Sequence, residues 1–217
     1  MKTSESSDGI TYQNENILVF FGKKNCDLPR LQTLFPNFIF RGVKQTHSDK
    51  FIHSFEGSGD TEADAHWTTE KNVALLIKTA DCIPVMAFER SSGKIAAIHA
   101  GWRGVANHIT ALTLKSFSKF DLLIGPHIQQ CSFEVQEDAQ ILLNQSAPDL
   151  DPKTFATIES GSININLKNI LLHQLGINRI ENVFSTNVDT KTHPEFHSYR
   201  RDQQNSGRNL SFICLLT

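Results

Sequence analysis

Three short apolar runs follow one another between Val73 and His99: VALLIK (Val73–Lys78), IPVMAF (Ile83–Phe88) and KIAAIH (Lys94–His99). Each is shorter than an ordinary core helix and rich in aliphatic residues, so each reads as a buried strand. Ser91-Ser92-Gly93 joins the last two as a turn, and Pro84 falls near a strand start, where a missing N–H is tolerable. A chain carrying this block has to build a sheet-based core. It must also place polar groups where the runs end, at Thr79-Ala80-Asp81-Cys82 and at His99-Ala100-Gly101-Trp102-Arg103-Gly104.

The remaining sequence supplies partners for that core. ILVFF (Ile17–Phe21) reads as a strand followed by a turn over Gly22–Asn25, and NFIFRGVKQTH (Asn37–His47) as a strand that loses its apolar character at Gln45-Thr46-His47. Residues 54–64 are a loop by composition. Apolar positions Val105, Ile109, Leu112 and Phe117 predict an amphipathic helix over 104–120. DLLIG (Asp121–Gly125) is a strand, GPHIQQCSFEV (125–135) a loop or short strand, and 137–145 and 167–175 are helices. Residues 183–208 form a long polar loop before a closing strand, LSFICLL. Loops of that length in a compact domain are commonly functional. The alternation of strands and helices predicts a mixed α/β or α+β fold in a single domain over 1–217, with a polar, flexible stretch at 1–16.

The chain has 217 residues and a formal net charge of -2, so no whole-chain basic field points to nucleic acid or an anionic membrane. Any anion-binding surface has to be local. Cys26, Cys82, Cys131 and Cys214 form no CxxC and suit reduced thiols better than a disulfide framework. The N-terminal stretch lacks the apolar segment of a signal peptide, and no apolar run approaches the ~20 residues of a membrane span. The expectation is a soluble cytoplasmic protein.

Three strand ends share one property. His47 closes NFIFRGVKQTH, Cys82 follows VALLIKTAD, and His99 closes KIAAIH. If these ends converge, two imidazoles and a thiol face one point, a donor set that takes Zn²⁺ and leaves a fourth position open. Spacing alone leaves two other arrangements open: a buried cysteine beside hydrogen-bonded histidines, and a Cys–His nucleophile pair centred on Cys82. After His99, Gly101 and Gly104 allow close backbone approach, and Arg103 can fork onto a phosphate or carboxylate. In the late loop, Arg200, Arg201 and Arg208 lie near Phe196 and Tyr199, a composition that suits an anion pocket with an aromatic wall.

Five ordered blocks carry a resemblance: QTH at 45–47, TADCIPV at 79–85, HAGWRGV at 99–105, GPHIQQCSFEV at 125–135 and FHSYRRDQQNSGR at 196–208. They resemble the laccase-domain (YfiH-type) family, also labelled multicopper polyphenol oxidoreductase, purine nucleoside phosphorylase and peptidoglycan editing factor. The resemblance implies the α+β class, with mixed β-sheets flanked by helices, similar to the catalytic domain of cytotoxic necrotizing factor. It also implies a metal site, usually zinc and sometimes copper, with ligands falling on His47, Cys82 and His99.

The activities it implies are phosphorolysis of adenosine, inosine and methylthioadenosine, and deamination of adenosine. The alternatives are amide hydrolysis in peptidoglycan-precursor editing, copper-dependent oxidation of phenols, and a non-enzymatic metal-binding module. Within the nucleoside reading, Asp81 is the candidate proton carrier beside a metal-activated water. Gly101, Arg103, Gly104, Tyr199, Arg200 and Arg201 are candidates for holding substrate and phosphate. The chain departs from the family in its short Gly22–Pro36 segment, in Phe133 where Tyr is common, in Ser185 where Cys is frequent, and at Trp67.

Overall fold

The three apolar runs do not share one sheet. The computed structural model describes residues 1–54 and 59–217. In chain order its strands are β1 (Lys2–Glu5), β2 (Gly9–Gln13), β3 (Ile17–Gly22), β4 (Ile39–Arg41), β5 (Phe51–His53), β6 (Ala65–Thr68), β7 (Val73–Thr79) and β8 (Ile83–Glu89). They continue as β9 (Lys94–Ala100), β10 (Phe120–Ile124), β11 (Glu134–Val135), β12 (Ala156–Glu159), β13 (Ser162–Ile165), β14 (Ile180–Ser185) and β15 (Asn209–Leu215). One six-stranded sheet runs β1-β2-β3-β15-β7-β4, a second β14-β10-β8-β9-β6-β5, and a small third sheet β11-β13-β12.

The first run, β7, therefore lies in one sheet, and the next two, β8 and β9, pair antiparallel in the other. Thr79-Ala80-Asp81-Cys82 is the crossing between layers. Side chains alternate across each strand, and the alternation explains why these runs are apolar throughout. Val73, Leu75 and Ile77 of β7 meet Met86, Phe88, Ile95 and Ala97 between the sheets. Ala74 and Leu76 turn outward onto Leu31, Phe212 and partly buried Phe35, Phe38 and Phe40. Ile83, Val85, Ala96 and Ile98 face the helices of the opposite layer. Fully burying a side chain such as Ile98 contributes about 1.5–3 kcal/mol.

The helices are α1 (Leu28–Leu34), α2 (Trp102–Ala106), α3 (Ile109–Thr113), α4 (Glu137–Gln145), α5 (Leu167–Leu175) and α6 (Tyr199–Asp202). The single helix expected over 104–120 is two short helices and a 3₁₀ turn, Leu114–Ser116. The chain bends at His108, whose φ is +60°, and the bend lets Val105, Ile109, Leu114 and Phe117 all reach the helix-side core. Leu112 is left 38% exposed. Gly104 packs closely here: a Cβ there would come 3.0 Å from Cγ2 of Ile109, which would have to give way.

Three further expectations are revised. The first sixteen residues hold the hairpin β1–β2 rather than a flexible lead, with Ile10 and Tyr12 buried in the inter-sheet core. The strand expected over 37–47 is confined to Ile39–Arg41. Beyond it, the Gln45 side chain takes the place of a backbone ladder: its amide donates to Lys78 O at 2.7 Å and accepts from Lys78 N at 2.8 Å. The long polar loop contains α6 and begins inside β14. Of the loop expected over 54–64, residues 55–58 lie outside the described residues. Among the described residues no helix is long and apolar enough to cross a membrane.

Candidate functional site

The rim where the two main sheets part company collects the three strand-end residues. Period-two alternation puts His99 on the same face of β9 as Ile95 and Ala97, the inter-sheet face, at its polar end. Cys82 sits on the layer crossing between β7 and β8, and His47 on the irregular segment after β4. Their donor atoms all lie within 4.8 Å of one another. Cys82 Sγ is 3.8 Å from His47 Nε2, and the two imidazole rings meet edge-on with centroids 4.8 Å apart. A tetrahedral zinc with ordinary Zn–S and Zn–N bonds would hold such S and N donors about 3.6 Å apart. The residues present fit a metal ion of that kind.

What holds them is a carboxylate that the sequence motifs do not single out. Asp64, fully buried just before β6, accepts from His99 Nδ1 at 2.7 Å. It also accepts from the backbone N–H groups of Thr46 (3.2 Å), His47 (3.0 Å) and Ser48 (2.7 Å), and from Ser48 Oγ (2.7 Å). One side chain thus fixes the His99 tautomer, leaving Nε2 for a ligand, and wraps the loop that presents His47. His47 itself sits at φ +60°, a left-handed conformation uncommon outside Gly, Asn, Asp and His. Burial alone would raise the Asp64 pKa, and the hydrogen bonds from His99 and Ser48 outweigh it, lowering it to about 2.

Burial also pushes the Cys82 thiol up, but His99 and His47 more than reverse that and favour the thiolate. For His99, burial works against the charged ring, and the Cys82 and Asp64 charges override it, moving the imidazole up. Both directions describe one arrangement: an anionic sulfur held by cationic imidazole in the absence of another cation. Gly101 closes this cluster from behind. A Cβ there would lie 3.0 Å from His47 Cδ2 and 3.1 Å from Cys82 Sγ, so a side chain would force the ligands apart.

All three donors open onto a cavity of about 600 Å³. Its wall includes Trp102, Phe133 and Tyr199, the cations Lys78, Arg103, Arg200 and Arg208, and Asp81. Asp81, at φ +85°, accepts from Thr190 Oγ1 and from Arg200 N, each at 2.6 Å. Both carboxylate oxygens are therefore engaged in tying the late loop, through the first turn of α6, to the layer crossing. Arg200 donates through Nη1 to Glu134 O at 2.8 Å and lies over the Phe133 ring. Arg103 stacks on Trp102, 4.5 Å from its centroid.

The expected pocket residues divide. Arg201 is not part of the cavity wall: its guanidinium donates to Thr190 O, Phe196 O and Asp202, holding the loop together. Phe196 is buried in the inter-sheet core. The aromatic wall comes instead from Phe133, Trp102 and Tyr199. Gly104 packs against α3 rather than against the cavity, and α2 is a single short helix with little dipole of its own. None of residues 22–36 lines the cavity. Lys44 and Lys78 were not among the residues singled out from sequence; isolated lysines carry no spacing signal.

Residues 28–216 match the family described as multi-copper polyphenol oxidoreductase laccase. This chain belongs to that family. Within reach of it are relatives named purine nucleoside phosphorylase. One, from Clostridium acetobutylicum, is 30% identical over 181 residues, covering 79% of this chain and 75% of the relative. Another, from Haemophilus influenzae, is 33% identical over 180 residues, covering 79% and 72%. Among solved structures, the Bacillus licheniformis hypothetical protein YfiH superposes with a TM-score of 0.87 at 21% identity over 99% of each chain. A Neisseria meningitidis protein of the DUF152 family gives 0.83 at 24% identity, covering 100% and 99%. These two establish the α+β fold of mixed sheets and helices for the laccase-family domain.

Proposed function

We propose that the chain is a metal-dependent purine nucleoside phosphorylase, acting on adenosine, inosine or methylthioadenosine, with adenosine deamination as a second reaction of the same site. The observation that carries this reading is the grouping of three donors, His47, Cys82 and His99, in the wall of a cavity that also offers aromatic faces and the cationic side chains of Arg103 and Arg200. When bound, a zinc or copper ion supplies Lewis acidity at that part of the wall. His47, Cys82 and His99 would hold it, and Asp64 keeps His99 presenting Nε2.

The remaining roles follow from position. Trp102, Phe133 and Tyr199 offer flat faces for a purine, which stacks on aromatic side chains. Arg103 and Arg200 hold inorganic phosphate against the sugar, where fork geometry suits phosphate oxygens. Asp81 acts as a positioning residue, because its two oxygens bind Thr190 and the Arg200 N–H and so fix the loop that carries Arg200. Names given to the relatives support the reaction class, and they are consistent with small-molecule substrates.

One observation favours a second reading. The lowered Cys82 pKa and the 3.8 Å approach of His47 Nε2 also suit a thiolate nucleophile in an amide hydrolase. Multi-copper oxidation calls for more ligands than one triad, the only group of three such donors this close among the described residues. The deciding experiment is metal analysis of chelator-free protein, wild type beside Cys82→Ala, followed by incubation with adenosine or inosine in phosphate. About one metal ion lost with the substitution, together with free base and ribose 1-phosphate from the wild type, supports the proposal. A metal-free wild type alkylated at Cys82 and cleaving amides overturns it in favour of the hydrolase, and phenol oxidation with copper bound would restore the laccase reading.

A further inference from the structure

The cavity wall carries more positive charge than the proposed reaction needs. Lys78, Arg103, Arg200 and Arg208 all line it. Among the described residues none of the four takes part in an ion pair. The other lysine in the wall, Lys44, is matched by Glu62 at 3.0 Å. Among the described residues the one carboxylate in the wall, Asp81, already has both oxygens engaged. The chain as a whole carries a formal net charge of -2, so this is a local concentration and not an overall bias.

The four cations fall into two arms. Arg103 and Arg200 stand on the helix side, stacked on Trp102 and Phe133. Lys78 stands on β7 of the other sheet, and Arg208 directly before β15. Lys78 pairs with Leu210 across the antiparallel β7–β15 ladder, and Arg208 lies two residues before Leu210. Both side chains line the same cavity. Arg208 donates through Nη1 to Ser206 O and Gly207 O, and its exposed guanidinium has no carboxylate partner. Cations lining one cavity without compensating carboxylates raise its attraction for an anion.

We infer that the second arm, Lys78 and Arg208, binds a phosphate carried by the substrate itself, so that the site takes a phosphorylated nucleoside in preference to the free nucleoside. The inference rests on the purine-nucleoside reading and narrows it, setting methylthioadenosine aside because its 5′ carbon bears a thioether: one arm serves inorganic phosphate, the other a phosphate ester. A neutral nucleoside with one inorganic phosphate leaves the Lys78–Arg208 pair without a counter-charge. A nucleoside 5′-monophosphate supplies it.

The test is titration calorimetry of the full chain, purified without chelator, in phosphate-free buffer. Inosine, inosine 5′-monophosphate and inorganic phosphate are titrated separately at low and at high salt. Inosine cannot be deaminated, and without phosphate it cannot be phosphorolysed, so binding is read apart from turnover. The expected result is that the monophosphate binds about tenfold tighter than inosine at low salt, with the ratio shrinking as salt rises. Lys78→Gln and Arg208→Gln should each move the ratio toward one, with the thermal midpoint checked to confirm folding. Equal affinities for the two ligands in the wild type, no binding of either, or a preference that survives both substitutions overturns the inference. Binding of inorganic phosphate alone, without a monophosphate preference, also overturns it, because it assigns the charge to the co-substrate. Absence of phosphorolysis with the binding ratio intact would remove the proposed reaction and leave this inference standing.

Discussion

His99 and Cys82 reach the cavity from the ends of strands buried on both faces, whereas Tyr199 and Arg200 reach it from a four-residue helix inside a long surface loop. The first wall is over-determined. Asp64 alone ties β9, β6 and the 46–48 segment together through five hydrogen bonds, counting Thr46 N, His47 N, Ser48 N, Ser48 Oγ and His99 Nδ1. The second wall is held at fewer points, chiefly Asp81 to α6 and Arg201 to the loop carbonyls. The difference teaches a division of labour. Under the proposed function, the metal donors sit against the sheet core, and two of the substrate contacts, Tyr199 and Arg200, sit on a surface loop of the kind that varies most readily.

The largest effect should come from breaking the fixed wall at its centre. Cys82→Ala is expected to abolish stoichiometric metal binding and to lower kcat/KM for phosphorolysis by more than ~100-fold, the most that losing a partner of a ligand usually costs. Elemental analysis beside steady-state kinetics checks it, and retained metal in the variant would move the ligand set elsewhere. Asp64→Asn should cost about 10–100-fold in metal affinity or activity, because the amide cannot serve as acceptor to His99 and the three backbone N–H groups at once. Chelator competition reads this directly. An Asp64→Asn protein with unchanged metal affinity would show that the rim is held by packing and not by this carboxylate.

The same division decides what could be read from the chain alone. Cys82 and His99 were legible as candidates because an apolar run stops and a chemically distinctive residue follows; His47 was expected at a strand end too, but β4 stops at Arg41, and it is the QTH block of the family resemblance that singles it out. Asp64 was not legible, because it is one of 23 acidic residues and lies in a stretch that reads as an ordinary polar loop. Only the fold shows which carboxylate faces a ligand. The small third sheet was missed for a related reason. β12 is mostly solvent-facing, β13 is half-buried, and neither holds a long apolar run, although Ser160 and Gly161, both at positive φ (+50° and +86°), make the tight turn that a hairpin favours. The broken helix at 104–120 was misread because its spacing satisfies helical periodicity on both sides of a bend that tertiary packing imposes at His108.

Neighbouring arginines sharpen the comparison at smaller scale. Arg200→Gln should raise KM for phosphate about tenfold, the order of one charge-assisted contact, while leaving metal content unchanged. Arg201→Gln removes hydrogen bonds to loop carbonyls and should instead lower stability by about 1–2 kcal/mol, read by urea denaturation. If both substitutions raise KM equally with no change in stability, the loop acts as one unit and the separate roles fail.

The smallest effect probes both walls together through pH. One buried neutral histidine lies under each: His66 beside Asp64 in β6, and His127 under the loop that carries Asp189. Burial is the main cause in both, and it lowers each pKa from 6.5 to about 4. His127 fits the neutral ring, with Nδ1 2.8 Å from Gly125 O and Nε2 3.1 Å from the Gln129 amide nitrogen that can donate to it. Because each folded-state pKa lies below its unfolded value, the unfolded chain binds more protons below pH 6.5, and stability falls as pH drops from 6.5 toward 4. By pH 5.5 the loss is about 1 kcal/mol per imidazole relative to pH 7.5. Urea midpoints at the two pH values measure it, and His66→Gln or His127→Gln should each remove one share of the slope. If His127→Gln alone flattens it, acid opens the loop wall while the sheet wall stays closed, and metal retention at pH 5.5 should then outlast substrate binding.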